Sequence, residues 1–174
     1  MGYPQHQSSA KAINARCAII TLSDTRTIHT DLGGKRIAEL LTGDGHSVGE
    51  HRVIRDDAEG LHGVLMELLG LEEIDAILTT GGTGISSRDQ AIGVIESVIE
   101  TPLPGFGELF RMLSWAEIGS GAMLSRAIGG IAKEKAVFAM PGSTAAVELA
   151  MTKLILPELR HVLFEVTKGR EKRT

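Results

Sequence analysis

An apolar segment, Ile74 to Leu78, runs directly into Thr79-Thr80-Gly81-Gly82-Thr83-Gly84-Ile85-Ser86-Ser87-Arg88-Asp89 and then into a helical pattern. A buried strand that turns through three glycines into a helix is the connection of an α/β sheet. Glycine there lets backbone N–H groups approach an anion with no Cβ in the way, and the helix that follows adds its positive end. The residue order excludes two common phosphate sites. No lysine follows the last glycine, as G-x-x-x-x-G-K-[ST] requires, and glycines at 81, 82 and 84 do not space as G-x-G-x-x-G. A plain βα turn would need glycine alone. The polar groups of Thr80, Thr83, Ser86, Ser87, Arg88 and Asp89 favour a phosphorylated ligand without naming it.

The flanking sequence repeats the alternation. Cys17 to Ser23 reads as strand, Leu32 to Leu41 as helix, Ser47 to Ile54 as strand and Ala58 to Leu71 as helix, with Leu61, Val64, Leu65, Leu68 and Leu69 on one helical face. Strand Asp75 to Thr80 and helix Gln90 to Ile99 follow. After Pro102-Leu103-Pro104-Gly105 comes a short helix, Glu108 to Ser114. Strands Arg126 to Ile131 and Ala136 to Met140 flank Lys133-Glu134-Lys135 and would pair as a hairpin. The turn Pro141-Gly142-Ser143-Thr144 then repeats the strand, glycine-hydroxyl turn, helix arrangement before Ala145 to Leu156. The order predicts a three-layer α/β/α fold around a mostly parallel sheet, made mixed by the hairpin, with ligands held beyond the carboxyl ends of the strands. Three polar strand ends, Ser23-Asp24, Asp56-Asp57 and the Gly81 loop, converge there.

At 174 residues the chain is long enough for one core and short for two. The expected organisation is one domain over 15–167 between solvated tails, 1–14 and a basic 168–174. Lys plus Arg number 18 against 22 Asp plus Glu, so no basic field attracts nucleic acid, and at 3% aromatic residues there is little surface for base stacking. No stretch has the length of a signal peptide core or a membrane span, which makes a cytoplasmic location the expectation. Cys17, the single cysteine, opens an apolar run and reads as a buried small hydrophobe. The six histidines lack zinc-ligand spacing, and Pro141-Gly142-Ser143-Thr144 lacks the G-x-S-x-G elbow of a hydrolase.

Asp56 and Asp57 stand between a strand and a helix, where an aspartate commonly caps the helix. Asp57 is the expected cap, leaving Asp56 as the functional candidate. Judged by position alone, Asp89 reads as a cap of helix Gln90 to Ile99, and Asp24 as an Asx turn. Taken together, the three carboxylates suit a phosphate site if Mg²⁺ intervenes, since that ion is usually held by one or two carboxylates plus substrate phosphates.

Three motifs in order, Thr79 to Asp89, Pro104-Gly105-Phe106-Gly107-Glu108 and Pro141-Gly142-Ser143, closely resemble the molybdopterin-binding MoaB/MogA family of molybdenum cofactor biosynthesis. The resemblance spans Ala15 to Leu159. Phe110-Arg111-Met112-Leu113-Ser114, Glu117-Ile118-Gly119 and Phe138 to Ser143 look most like its MoaB branch. It implies a homotrimer or homohexamer that adenylylates molybdopterin: the terminal phosphate attacks the α-phosphate of Mg·ATP and pyrophosphate leaves. Mg²⁺ is then the cofactor, ATP and molybdopterin the substrates, and a molybdate-inserting protein a recipient of the product. Catalysis falls by motif on Asp56, which would hold Mg²⁺, and on Asp89, which would orient the reacting phosphate. Substrate binding falls on Ser23, Asp24, Gly81, Gly82, Thr83, Gly84, Ser86, Arg88, Pro141, Gly142 and Ser143, with Arg88 meeting transition-state charge. Relatives often carry Asp-x-Ser-Gly where this chain has Asp31-Leu32-Gly33-Gly34, so a hydroxyl is missing at Gly33. The same motifs would serve a carrier or scaffold that binds molybdopterin without turning over ATP.

Overall fold

The computed structural model describes residues 13–86 and 89–171. Six strands, β1 (Arg16–Leu22), β2 (Ser47–Ile54), β3 (Ala76–Thr80), β4 (Thr101–Pro102), β5 (Ile128–Ala132) and β6 (Lys135–Met140), form one sheet in the order β2-β1-β3-β6-β5-β4. Strands β2, β1, β3 and β6 are parallel, whereas β5 is antiparallel to β6 and β4 to β5. The expected three-layer α/β/α architecture with a mixed sheet is therefore observed.

Alternation along the strands assigns the two faces. In β1, Cys17 and Ile19 face one core together with α1 (Leu32–Gly43), α4 (Pro104–Ile118) and the C-terminal helices. Ala18, Ile20 and Leu22 face the other, with α2 (Ala58–Gly70) and α3 (Ala91–Val98). Strands buried on both faces read as continuous apolar runs, which is why β1, β3 and β6 stand out in the sequence. Cys17 is fully buried, and burial, followed by the charge of Asp75, pushes its thiol up to about 12, so it stays protonated at neutral pH.

Several boundaries differ from the sequence reading. The short helix expected at Glu108 to Ser114 is fifteen residues long and begins at Pro104. Proline is favoured in a first helical turn, where its missing N–H costs nothing, so the Pro-Gly pair starts the helix instead of blocking it. A 3₁₀ turn, Gly119–Leu124, follows. The last helix is continuous through α5 (Thr144–Ala150), a π turn (Met151–Ile155) and α6 (Leu156–Glu171), so it passes the boundary expected at Lys168. At the other end, Ile13 packs against the core although it falls within the expected tail. Residues 1–12 and 172–174 of the expected tails lie outside the described residues.

The β5–β6 hairpin turns through Lys133 and Glu134, both at positive φ (44° and 60°). A two-residue turn of this kind matches the twist of the strands but normally selects Asn or Gly. Lys135 follows it into the sheet and is almost completely buried. Its ammonium donates to the carbonyls of Leu71 (2.8 Å) and Ile74 (2.6 Å), which satisfies the charge and ties the hairpin to the entry of β3.

Candidate ligand site at the strand ends

The carboxyl ends of β2, β1, β3 and β6 lie side by side, so the turns that leave them share one edge of the sheet. Register places Thr80 opposite Met140, and the Gly81 amide donates to the Met140 carbonyl at 3.2 Å. Thr80 Oγ1 donates to the Pro141 carbonyl at 3.1 Å. Gly142 is close enough to Gly81 that a Cβ on it would lie 3.2 Å from the Gly81 Cα. The two glycine turns noted separately in the sequence therefore form one surface. Gly81 and Gly82 both have positive φ, 94° and 63°, where a side chain is strained. A Cβ on Gly81 would strike the Leu22 carbonyl, and one on Gly82 would meet Asp56 Oδ1 at 2.7 Å and the Ala91 Cβ at 2.8 Å.

The acidic residues separate into different tasks. Asp57 caps α2, its Oδ1 accepting from the Gly60 amide at 2.7 Å, as expected. Asp56 is left to reach across the end of β1 toward Gly82. Asp24 makes no Asx turn. Ser23 forms the turn, its Oγ accepting from the amides of Thr25 (3.3 Å) and Arg26 (3.1 Å), while Asp24 Oδ1 accepts from the Asp56 amide at 3.3 Å. Asp24, Asp56 and Gly82 thus gather at one place.

Asp89 does not cap α3, whose N-cap position is Gln90 with no side-chain cap bond. Its carboxylate folds back, Oδ2 accepting from the Ser86 amide at 2.8 Å, and a Cβ on Gly84 would collide with it. Thr83 is buried, whereas Gly84 and Ser86 are exposed. Arg88, and Ser87 beside it, lie outside the described residues. Ser143 caps α5, accepting from the Ala146 amide at 3.2 Å, and Pro141 and Gly142 are half-buried next to Gly81.

Three residues near this edge escaped the sequence reading as site residues. Arg126 donates to the carbonyls of Thr83 (Nε, 3.2 Å), Gly84 and Asp89 (2.6 Å). Arg26 reaches the Gly142 carbonyl at 3.5 Å and lies 3.9 Å from Asp31. Asp31 is fully buried and caps α1, accepting from the Gly34 amide (2.9 Å), Thr21 Oγ1 (2.6 Å) and His51 Nε2 (2.9 Å). Burial works to raise its pKa, but those three donors outweigh it and hold the carboxyl below its ordinary range. A Cβ at Gly33 would make only ordinary contacts, the nearest being Arg26 and Asp31 at 3.7 Å, so the hydroxyl missing there is a chemical difference and leaves the turn's shape intact.

Motif residues Pro104, Gly107 and Glu108 line a cleft of about 430 Å³ with Glu96, Arg111 and Ala127. Among the described residues, no three His, Cys, Asp or Glu side chains gather to hold a metal by themselves, and no helix is long and apolar enough to cross a membrane.

An α/β sheet whose central strands end in two touching glycine turns, bordered by carboxylates, defines a protein that binds an anionic ligand at its strand ends. The family model described as "probable molybdopterin binding domain" matches residues 18–161. Similar proteins include molybdenum cofactor biosynthesis protein B of Bacillus cereus, 48% identical over 95% of this chain and 98% of that one, and of Halalkalibacterium halodurans, 47% identical over 98% and 100%. A crystal structure of molybdenum cofactor biosynthesis protein B superposes with a TM-score of 0.88 at 49% identity, covering 90% of this chain and 98% of the other. The tungsten cofactor synthesizing protein MoaB of Pyrococcus furiosus gives 0.79 at 31% identity, covering 88% and 97%. The chain belongs to the MoaB/MogA family of molybdopterin-binding proteins and is a molybdenum cofactor biosynthesis protein of the MoaB type.

Proposed function

We propose that the protein transfers AMP from Mg·ATP to the terminal phosphate of molybdopterin. The observation that carries this reading is the meeting of Asp56 and Asp24 with the Gly82 turn. Acids placed against an anion-binding loop repel the ligand unless a cation lies between them. Hard oxygen donors from one or two carboxylates, completed by substrate phosphate, match what Mg²⁺ requires. Asp56 and Asp24 would hold it, and Mg²⁺ bound there would offset phosphate charge.

In the reaction a phosphate oxygen of molybdopterin forms a bond to the α-phosphorus of ATP, and the bond from that phosphorus to the bridging oxygen of the β-phosphate breaks. The products are adenylylated molybdopterin and pyrophosphate. The nucleophile is already an anion at neutral pH, so no general base is needed, and positioning carries the catalysis. Gly81, Gly82 and Gly84 bring backbone donors to the phosphates. Gly142 and Ser143 extend that surface from the adjacent turn, and Asp89 keeps the loop in shape around the reacting phosphate. The cleft beside Glu108 and Arg111 has room for the pterin.

Purified protein given molybdopterin, ATP and Mg²⁺ is expected to release pyrophosphate, and Asp56→Asn to release far less. Absence of pyrophosphate where an active relative produces it sinks the enzyme reading. One observation favours a carrier instead: Asp89 is engaged with its own loop. A carrier binds molybdopterin, leaves ATP intact and is indifferent to Asp56→Asn.

Leu109, Met112, Trp115 and Ile118 form an exposed apolar face on α4. Such a face supports assembly into a homotrimer or homohexamer. Sedimentation analysis of the wild type and of Trp115→Glu tests it, a monomeric wild type being the contrary result. The adenylylated product would pass to a molybdate-inserting protein.

A further inference from the structure

Arg126 stands immediately before β5, the strand antiparallel to β6, and this puts it at the carboxyl edge of the parallel strands beside the glycine loop. Its guanidinium donates to three backbone carbonyls of that loop, Thr83 and Gly84 before residues 87 and 88 and Asp89 after them. Both flanks of the turn are therefore held by one half-buried side chain from outside the loop. A planar fork can serve several carbonyls at once, which a lysine ammonium does without fixed geometry.

The consequence for a ligand follows from the peptide unit. In a planar trans peptide the C=O and the N–H that follows point in opposite directions. Carbonyls of Thr83, Gly84 and Asp89 turned to Arg126 send the N–H groups of Gly84, Ile85 and Gln90 the other way. Neutralising three inward carbonyls with a cation also leaves the loop a net positive face for an anion.

The geometry points to Arg126 as a positioning residue that sets the phosphate-binding conformation of the glycine loop, directing the Gly84, Ile85 and Gln90 amides to the ligand phosphate. This rests on the reading of the loop as the phosphate-binding element. Arg126 acts through the loop backbone and takes no part in bond making.

Arg126→Met and Arg126→Lys separate the outcomes. Hydrogen–deuterium exchange without ligand is expected to speed up about tenfold at the amides around the turn in Arg126→Met, with β1 and β3 unchanged. The dissociation constant for molybdopterin, by titration calorimetry, is expected to rise about 10- to 100-fold in both variants, as the loss of charge-assisted hydrogen bonds predicts. The KM for molybdopterin should rise with kcat changed far less, and millimolar guanidinium should restore binding to Arg126→Ala while ammonium does not. Unchanged loop exchange, or wild-type affinity in both variants, overturns the assignment of Arg126 alone. A wild type that binds neither molybdopterin nor ATP overturns the phosphate-site reading and this inference with it.

Discussion

Asp56 and Gly82 leave different strands yet meet, with room for no atom between them: a Cβ on Gly82 would stand 2.7 Å from Asp56 Oδ1. The glycine is required twice, by its φ of 63° and by the carboxylate against it. Gly82→Ala is expected to cost about 1–2 kcal/mol for the left-handed backbone alone and to displace Asp56. Urea unfolding gives the first effect. Pyrophosphate release, falling more than stability accounts for, gives the second.

Asp89 supplies a sharper test of how the loop works. Asparagine keeps an oxygen that can accept from the Ser86 amide, now 2.8 Å from Oδ2, whereas alanine does not. If Asp89 acts by bracing the loop, Asp89→Asn retains most turnover and Asp89→Ala loses about tenfold or more, the worth of one charge-assisted hydrogen bond. Equal, severe losses in both variants would assign the task to the negative charge.

Asp31 is buried with three donors on it, so its replacement strands them. Asp31→Ala is expected to destabilise by about 2–4 kcal/mol, combining a lost helix cap with unpaired buried partners. The depressed carboxyl also sets an acid limit. Its contribution is complete above the ordinary value of 3.8 and disappears as pH falls through the lower folded-state value. Acid titration of the wild type should show this component and Asp31→Asn should lack it.

His46 sets the opposite kind of limit, nearer neutrality. It is buried, with Nδ1 accepting from the Ala15 amide at 3.0 Å, and Nε2 lies 3.3 Å from Asp44. Burial, then the charge of Arg160, lowers its pKa, against the opposing pull of Asp44 and Asp75. The unfolded chain therefore takes up a proton at 6.5 that the folded chain refuses until lower pH, and stability should fall as pH drops below 6.5. The slope approaches at most about 1.4 kcal/mol per pH unit. Melting temperatures between pH 5 and 7.5 should decline in the wild type and stay flatter in His46→Asn, which keeps an acceptor for Ala15.

Continuous apolar strands and short-range signals were legible in the sequence. Ser47 to Ile54 matches β2 residue for residue, and the choice of Asp57 over Asp56 as the cap follows from local chemistry. Asp89 was misjudged on position alone because its preference for the Ser86 amide is decided by the loop's path. Arg126 gives no signal of its own, since its partners lie 37 to 43 residues away and are backbone atoms, which leave no trace in side-chain pattern. Helix α4 was cut short because Pro104 and Gly105 look like a break until proline's tolerance in a first turn is considered.

The π turn at Met151–Ile155 carries one residue more than a regular helix would use for the same advance. Removing a single residue there would restore ideal helical winding and rotate everything beyond it by about 100°. Leu159 and Leu163, now buried against the sheet, would swing toward solvent. A shorter, more regular chain would thus be a less stable one, and in lineages of this protein, insertions and deletions should be tolerated at the hairpin tip long before they are tolerated within this turn.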